Sequence, residues 1–333
     1  MAKKSSSSSW DAANAAKLEA YNKIPAGPKA REEKLWFRAL RCWQLYLLLI
    51  PALVWLVLFA YYPMYGLLIA FKDFKIRAGI VASPWADPIM KYFTQFFATS
   101  AGWEYVWNTV ILSGEQLIMS FWVPVVFALL LNQIRNKGAR KAVQTISYAP
   151  YFLSNVVLVC IIQVMFGAKG VVNNVVTSLG GTAQGFITDE GWFRPMYIGS
   201  TIWQSMGFNA IIYIAALTGI DPTLYEAAVI DGANRFQRVM KIDLPLILPT
   251  IILMFVMAIG NIMTVGYEKA YLMQASTNLT VSELISTHVY KAGLQSAQYS
   301  YATAVGLFNS VVNFIILFIA NFASTKLADI SIF

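Results

Sequence analysis

The chain has 333 residues, of which 58% are hydrophobic and only 13% charged, and its mean hydropathy is +0.56. Such values lie far from those of water-soluble domains and point to an all-α polytopic membrane protein. The formal charge of +8 does not indicate nucleic acid, because the basic residues gather at the N-terminus and in one short loop, not on a face of a soluble module.

Residues 1–35 are rich in Lys, Ser and Ala and lack an apolar core followed by a cleavage site, so they read as a flexible tail and not as a secretory signal. The run Ser5 to Ser9 is expected to be disordered. Cys42 and Cys160, the two cysteines, fall at different depths and suggest neither a disulfide nor a metal site.

A hydrocarbon core of about 30 Å needs about 20 apolar helical residues. Six segments qualify: Trp43 to Leu67, Trp107 to Leu131, Val143 to Phe166, Tyr197 to Leu217, Leu246 to Val265 and Ala304 to Ser324. Pro51, Pro124, Pro150 and Pro249 lie in or beside these runs, where neighbouring helices can satisfy the freed carbonyls. Up to Arg41 the chain carries nine Lys or Arg against four acids, and the loop 132–142 holds Arg135, Lys137, Arg140 and Lys141 with no acid. The positive-inside rule places both in the cytoplasm. Parity then puts both termini and the loop containing Glu226 on that side, and the longer loops near 72–104, 169–194 and 268–301 outside.

The loop between the fourth and fifth segments, LYEAAVIDGANRFQRVMKIDLP from Leu224 to Pro245, carries the strongest pattern. Two starts are open for its helix. Either Asp221 caps it with Pro222 in the first turn, or Thr223 and Glu226 form a capping box that would give Glu226 a purely structural role. Gly232 permits a sharp turn into a second short helix, about Ala233 to Lys241, on which Phe236, Val239 and Met240 supply an apolar face. The small residues Ala227 and Ala228 would let another backbone approach, as for a helix seated in a groove.

This loop resembles the EAA loop of binding-protein-dependent ABC importer permeases, with matches at Glu226, Ala227, Ala228, Asp231, Gly232, Ala233, Phe236, Ile242, Leu244 and Pro245. Tyr61 to Phe74, Val143 to Phe152, Ile202 to Leu217 and Tyr301 to Phe314 look like the oligosaccharide branch of that family, nearest to subunits for aldouronate or alginate fragments. The likeness covers about Trp36 to the C-terminus, so 36–333 is expected to be a transmembrane permease domain with cytoplasmic coupling helices at about 221–241. It implies the type I ABC importer permease fold and an inner-membrane location. It further implies a second permease, as a heterodimer, two ATP-binding subunits and an extracytoplasmic solute-binding protein. Glu226 to Phe236 would then couple ATPase closure to the spans. The chain has no Gly-x-x-x-x-Gly-Lys-Ser/Thr loop, so ATP and Mg would be used by the partner subunits, with no cofactor or metal bound here and no enzymatic step.

Amides and acids at bilayer depth should face protein or water; they include Asn108, Glu115, Gln116, Asn155, Gln163, Gln204, Asn209, Asn261, Asn309 and Asn313. An interhelical hydrogen bond is the simplest role for any one of them. Sugars are met by aromatic faces with amides and hydroxyls, which selects Tyr151, Asn155, Gln163, Trp203, Gln204, Tyr213, Tyr267 and Glu268 as a substrate pathway. Glu115 reads as a lone carboxylate, and His288 as an ordinary residue of an outer loop. A self-contained secondary transporter is the competing reading, separable by transport that survives without an ATPase.

Overall fold

The computed structural model describes residues 43–260, 262–263 and 266–328; the expected tail, Cys42 and Asn261 lie outside them. The described residues are helical, with a single isolated bridge between Lys72 and Trp85. The chain divides into two compact units between Tyr65 and Gly66. In the first, the helix Trp43–Leu56 contains Pro51 and is followed by a π turn at Val57–Tyr61. Its side chains are exposed, Leu48 at 76% and Phe59 at 66%.

Five helical stretches have the length and apolar content to cross a bilayer: Tyr46–Phe71, Ser100–Asn132, Asn155–Ser178, Arg235–Ile259 and Tyr299–Phe322. Glu190–Thr218 becomes the sixth when taken together with Pro222–Ile230, from which it is bent by 72°. We number these spans 1 to 6 in chain order, Glu190–Thr218 being span 4. Side-chain caps start several of them: Thr99 Oγ1 accepts from Gly102 N at 3.2 Å before span 2, and Asp189 Oδ1 accepts from Gly191 N at 2.9 Å before span 4.

Two expected boundaries are corrected. The third apolar run was expected from Val143, but Lys137–Tyr148 is a separate amphipathic helix, capped by Asn136 and ended by the 3₁₀ turn Ala149–Phe152. Span 3 starts only after Ser154, whose hydroxyl caps it. Pro150 supplies no amide hydrogen to continue the first helix. Likewise, the expected helix Ala233 to Lys241 does not stand apart from span 5. Asn234 and Gln237 close a capping box, and the helix from Arg235 passes through a π turn at Val239–Asp243 into Leu244–Ile259.

Within the second unit, packing among apolar spans gains little from expelling water, since lipid is as apolar as Leu; close contact and polar links decide it. Span 4 approaches the amphipathic helix at Gly207, where an added Cβ would lie 2.2 Å from Ser147 O. Phe121, Val125, Ala128, Ala210, Tyr213, Leu217, Ile247 and Ile251 join spans 2, 4 and 5 in one buried cluster. Asn313 Nδ2 donates to Gly260 O at 2.7 Å and Asn309 Nδ2 to Met263 O at 3.2 Å, so span 6 holds the end of span 5. Each such bond contributes about 0.5–2 kcal/mol.

The segment between spans 5 and 6 folds back onto spans 2 and 4. Asn108 Nδ2 donates to Thr280 O at 2.7 Å, and Thr109 Oγ1 accepts from Ile285 N at 2.9 Å. His288 is not an ordinary surface residue: its ring lies 4.6 Å from that of Tyr105, tilted by 33°, and its Nε2 lies 3.1 Å from Tyr301 OH. Burial pushes the imidazole below its ordinary pKa.

Candidate functional site

The loop between spans 4 and 5 is built around two sharp changes of direction. Asp221 Oδ1 accepts from Thr223 N at 2.9 Å with Pro222 in the first turn of Pro222–Ile230, so the first of the two possible helix starts is the one used. The carboxylate of Glu226 is therefore not spent on capping; it is exposed and no hydrogen bond is made by it among the described residues. Gly232 has φ +75°, a left-handed conformation that suits glycine and turns the chain towards Asn234. Ala227 and Ala228 lie on the Pro222–Ile230 helix, with Asp231 and Ala233 in the turn that follows.

Val229, Ile230 and Phe236 project outward, with exposures of 57%, 86% and 72%. Tyr225, one turn before Val229 on the same helix, is anchored instead. Tyr225 OH donates to Asp243 Oδ1 in a short hydrogen bond, and Gln133 Nε2 donates to Asp243 Oδ2 at 3.2 Å. Asp243 is completely buried. One carboxylate thus ties the loop helix, the start of span 5 and the residue that follows span 2. Sequence reasoning did not single out Asp243 or Tyr225; the available signal was an acid immediately before the apolar Leu244–Ile259, where a charge is retained only if it is partnered.

Within the membrane region, spans 2, 4 and 5 border a half-open cavity of about 340 Å³ lined by Ser113, Gln116, Ser120, Asn209 and Tyr213 together with apolar side chains. Ser113 Oγ, Gln116 Oε1 and Ser120 Oγ are buried there without a partner, an arrangement that calls for water or a polar ligand. Ser120 escaped the sequence reading because hydroxyls ordinarily bond back to their own helix, and Ser113, a candidate partner for Glu115, is left with none.

The remaining expected pathway residues do not form one surface. Asn155 Nδ2 donates to Glu268 Oε2 at 2.6 Å, which brings two of them together across span 3 and the segment after span 5. Tyr267 stacks on Tyr290 at 4.9 Å, and Tyr151 stacks on Phe208 at 3.8 Å. Gln204 Nε2 donates to Leu153 O at 2.9 Å, bridging the break before span 3. Gln163 and Trp203 line two other depressions, the first with Phe186 and Phe193 and the second with Ile161, Met165 and Trp192. Tyr213 alone reaches the central cavity.

One charged group departs from expectation, and a second was not singled out in the sequence. Glu115 is not alone, since Arg194 Nη1 stands 3.7 Å from its Oε1. Lys269, 5% exposed, donates to Tyr197 O at 3.0 Å and Thr201 Oγ1 at 2.6 Å and sits 4.6 Å over the Tyr197 ring. It fixes the segment after span 5 against span 4.

Residues 124–328 match the family described as binding-protein-dependent transport system inner membrane component. The chain is 41% identical to protein LplB of Bacillus subtilis (strain 168), an alignment covering 87% of this chain and 92% of that one. It is 37% identical to the polygalacturonan/rhamnogalacturonan transport system permease protein YteP of the same organism, over 92% and 95% of the two chains. It also superposes on a permease chain in the crystal structure of a bacterial ABC transporter involved in the import of the acidic polysaccharide alginate. There the TM-score is 0.81 at 40% identity, covering 89% of this chain and all of that one. A second structure, the alginate transporter in complex with an alginate pentasaccharide-bound periplasmic protein, gives TM-score 0.82 and 38% identity. With six spans in the type I importer arrangement and this breadth of similarity, the chain belongs to the binding-protein-dependent transport system inner membrane components, as a multi-pass permease subunit of an ABC sugar importer and not an enzyme.

Proposed function

We propose that this permease forms one half of the pathway by which an acidic oligosaccharide enters the cell. Support for the substrate class comes from similarity at 37–40% identity to permeases whose own substrates are polygalacturonan or alginate. The route would pass the cavity of Ser113, Gln116, Ser120, Asn209 and Tyr213, whose unpartnered oxygens suit hydroxyl donors. Asn155 with Glu268, and Tyr267 beside them, would meet the sugar at another level of the same path. A second permease, as heterodimer partner, would supply the facing wall, and a solute-binding protein would deliver the substrate.

Coupling would run through Glu226, Ala227, Ala228, Asp231, Gly232, Ala233 and Phe236, on the side that the Lys and Arg distribution assigns to the cytoplasm together with both termini. The observation that carries this reading is that the loop exposes Ile230 and Phe236 while Tyr225 of the same loop is locked to the spans through Asp243. A groove in an ATP-binding subunit could hold the exposed side chains, and its closure on ATP and Mg would move the spans through Tyr225 and Asp243.

The test is uptake of labelled galacturonate and alginate oligosaccharides into vesicles holding both permeases, the ATPase subunits and the receptor. Uptake should require ATP and all components, and Gln116→Ala should weaken it more than it lowers basal ATP hydrolysis. Accumulation by this chain alone, under an ion gradient, would establish the secondary-transporter alternative instead.

A further inference from the structure

Where spans 2 and 4 end and span 5 begins, Asn132, Arg135, Leu217, Tyr225, Arg235 and Arg238 surround a pocket of about 260 Å³. Three arginines line one small space, Arg238 half-buried and Arg135 and Arg235 exposed. Among the described residues none of the three forms an ion pair or a side-chain hydrogen bond, and the Nε of Arg238 is buried without a partner. Asp243 accepts hydrogen bonds from Tyr225 and Gln133, and none from the three arginines is found among the described residues. Arg140 shows what an arginine of this region does when its needs are met locally: its Nε donates to Leu131 O at 3.0 Å and its Nη2 to Asn132 Oδ1 at 2.7 Å.

We propose that this pocket binds a phosphate group. Three arginines outnumber the one carboxylate beside them, Asp243, so the pocket carries an excess of positive charge, and the guanidinium fork matches phosphate oxygens in pairs. A buried N–H with no acceptor adds to that demand. The pocket lies at the depth where two spans terminate, with Leu217 as an apolar wall, which is where the phosphodiester of a lipid headgroup sits. A soluble phosphate compound presents the same oxygens. A carboxylate of an ATP-binding subunit fits less well. The most exposed apolar side chains of the loop are Ile230 and Phe236, whereas Tyr225, bonded to Asp243, and Arg238 are half-buried; Arg135 and Arg235 are exposed. Occupancy would join the residue after span 2 to the start of span 5 and so stiffen the loop that Asp243 already anchors.

The inference rests on the membrane fold and not on the identity of the sugar, so it is tested by binding and not by transport. The complete importer is placed in nanodiscs of phosphatidylcholine, and binding is followed by native mass spectrometry as phosphatidylglycerol or, in a separate arm, inorganic phosphate is added. Wild type should retain one additional anion per copy of this chain. The Arg135→Gln/Arg238→Gln double variant should bind it about tenfold or more weakly, the loss expected for charge-assisted hydrogen bonds. Retention of phosphatidylglycerol but not phosphate identifies a lipid, and the reverse identifies a soluble phosphate compound. If the double variant does not assemble, Arg135→Gln alone, at a position after the last turn of span 2, provides the same reading. Equal binding by wild type and variant in both arms overturns the proposal. So does a variant that binds as wild type yet loses ATP-driven uptake in phosphatidylcholine, which would assign the arginines to the ATPase subunit.

Discussion

Replacing Tyr225 by Phe removes one hydroxyl and nothing else, and the structure makes that hydroxyl the donor to a completely buried carboxylate. Asp243 Oδ2 keeps Gln133 at 3.2 Å, but Oδ1 is left without its partner. A hydrogen bond to an ionised group contributes about 1.5–3 kcal/mol, and a stranded buried acceptor costs about the same. We therefore expect Tyr225→Phe to destabilise the assembled importer by about 1.5–3 kcal/mol and to lower the sugar moved per ATP, because the loop helix is no longer held to span 5. The assay is a double-mutant cycle with Asp243→Asn, reading unfolding in detergent and the ratio of uptake to ATP hydrolysis in vesicles. Because the two groups share one bond, their effects should fall short of additive by more than about 0.5 kcal/mol. Additive losses with an unchanged ratio would refute the idea that Asp243 links loop and span.

Glu226→Lys alters an exposed side chain with no described hydrogen bond, so it should leave unfolding unchanged while abolishing most coupled uptake; a shift in unfolding of the same size as the loss of function would assign Glu226 to the fold. Gly207→Ala puts a methyl group 2.2 Å from Ser147 O; overpacking of this kind costs about 1–3 kcal/mol, readable as a lower unfolding midpoint, and an unchanged midpoint would show that the two helices can part without loss. His288 has its folded pKa depressed by burial, with Glu283 opposing that shift and Lys291 adding to it. Its contribution is therefore complete above the ordinary value of 6.5 and is lost as pH falls through the lower folded value. Stability between about pH 7 and pH 5 should decline less in His288→Gln than in wild type, and equal slopes would count against the assignment.

Much of the architecture is legible in the chain because a bilayer imposes one strong rule: about 20 apolar residues in a helix with every backbone group satisfied. That rule yields six spans, and the Glu-Ala-Ala and Asp-Gly-Ala pattern yields the family. Span edges were less legible where local chemistry competes with hydropathy. The run from Val143 is apolar enough to begin a span, yet Pro150 and the Ser154 cap divide it into a surface helix and a later membrane helix. The second short helix of the loop merges with span 5 because a π turn at Val239–Asp243 carries the hydrogen bonding through.

Tertiary structure alone decided which polar groups meet. Asn309 and Asn313 close on the end of span 5, Glu115 meets Arg194, and Lys269 is buried against span 4. Ser113, Gln116 and Ser120 instead remain open to a cavity. Hydropathy reports how deep a residue can lie but not the direction in which it points, and that direction depends on the rotation of each helix about its axis. Rotation is set by contacts between residues far apart in the chain, such as Tyr225 and Gln133 on Asp243, which leave no periodic trace in the sequence.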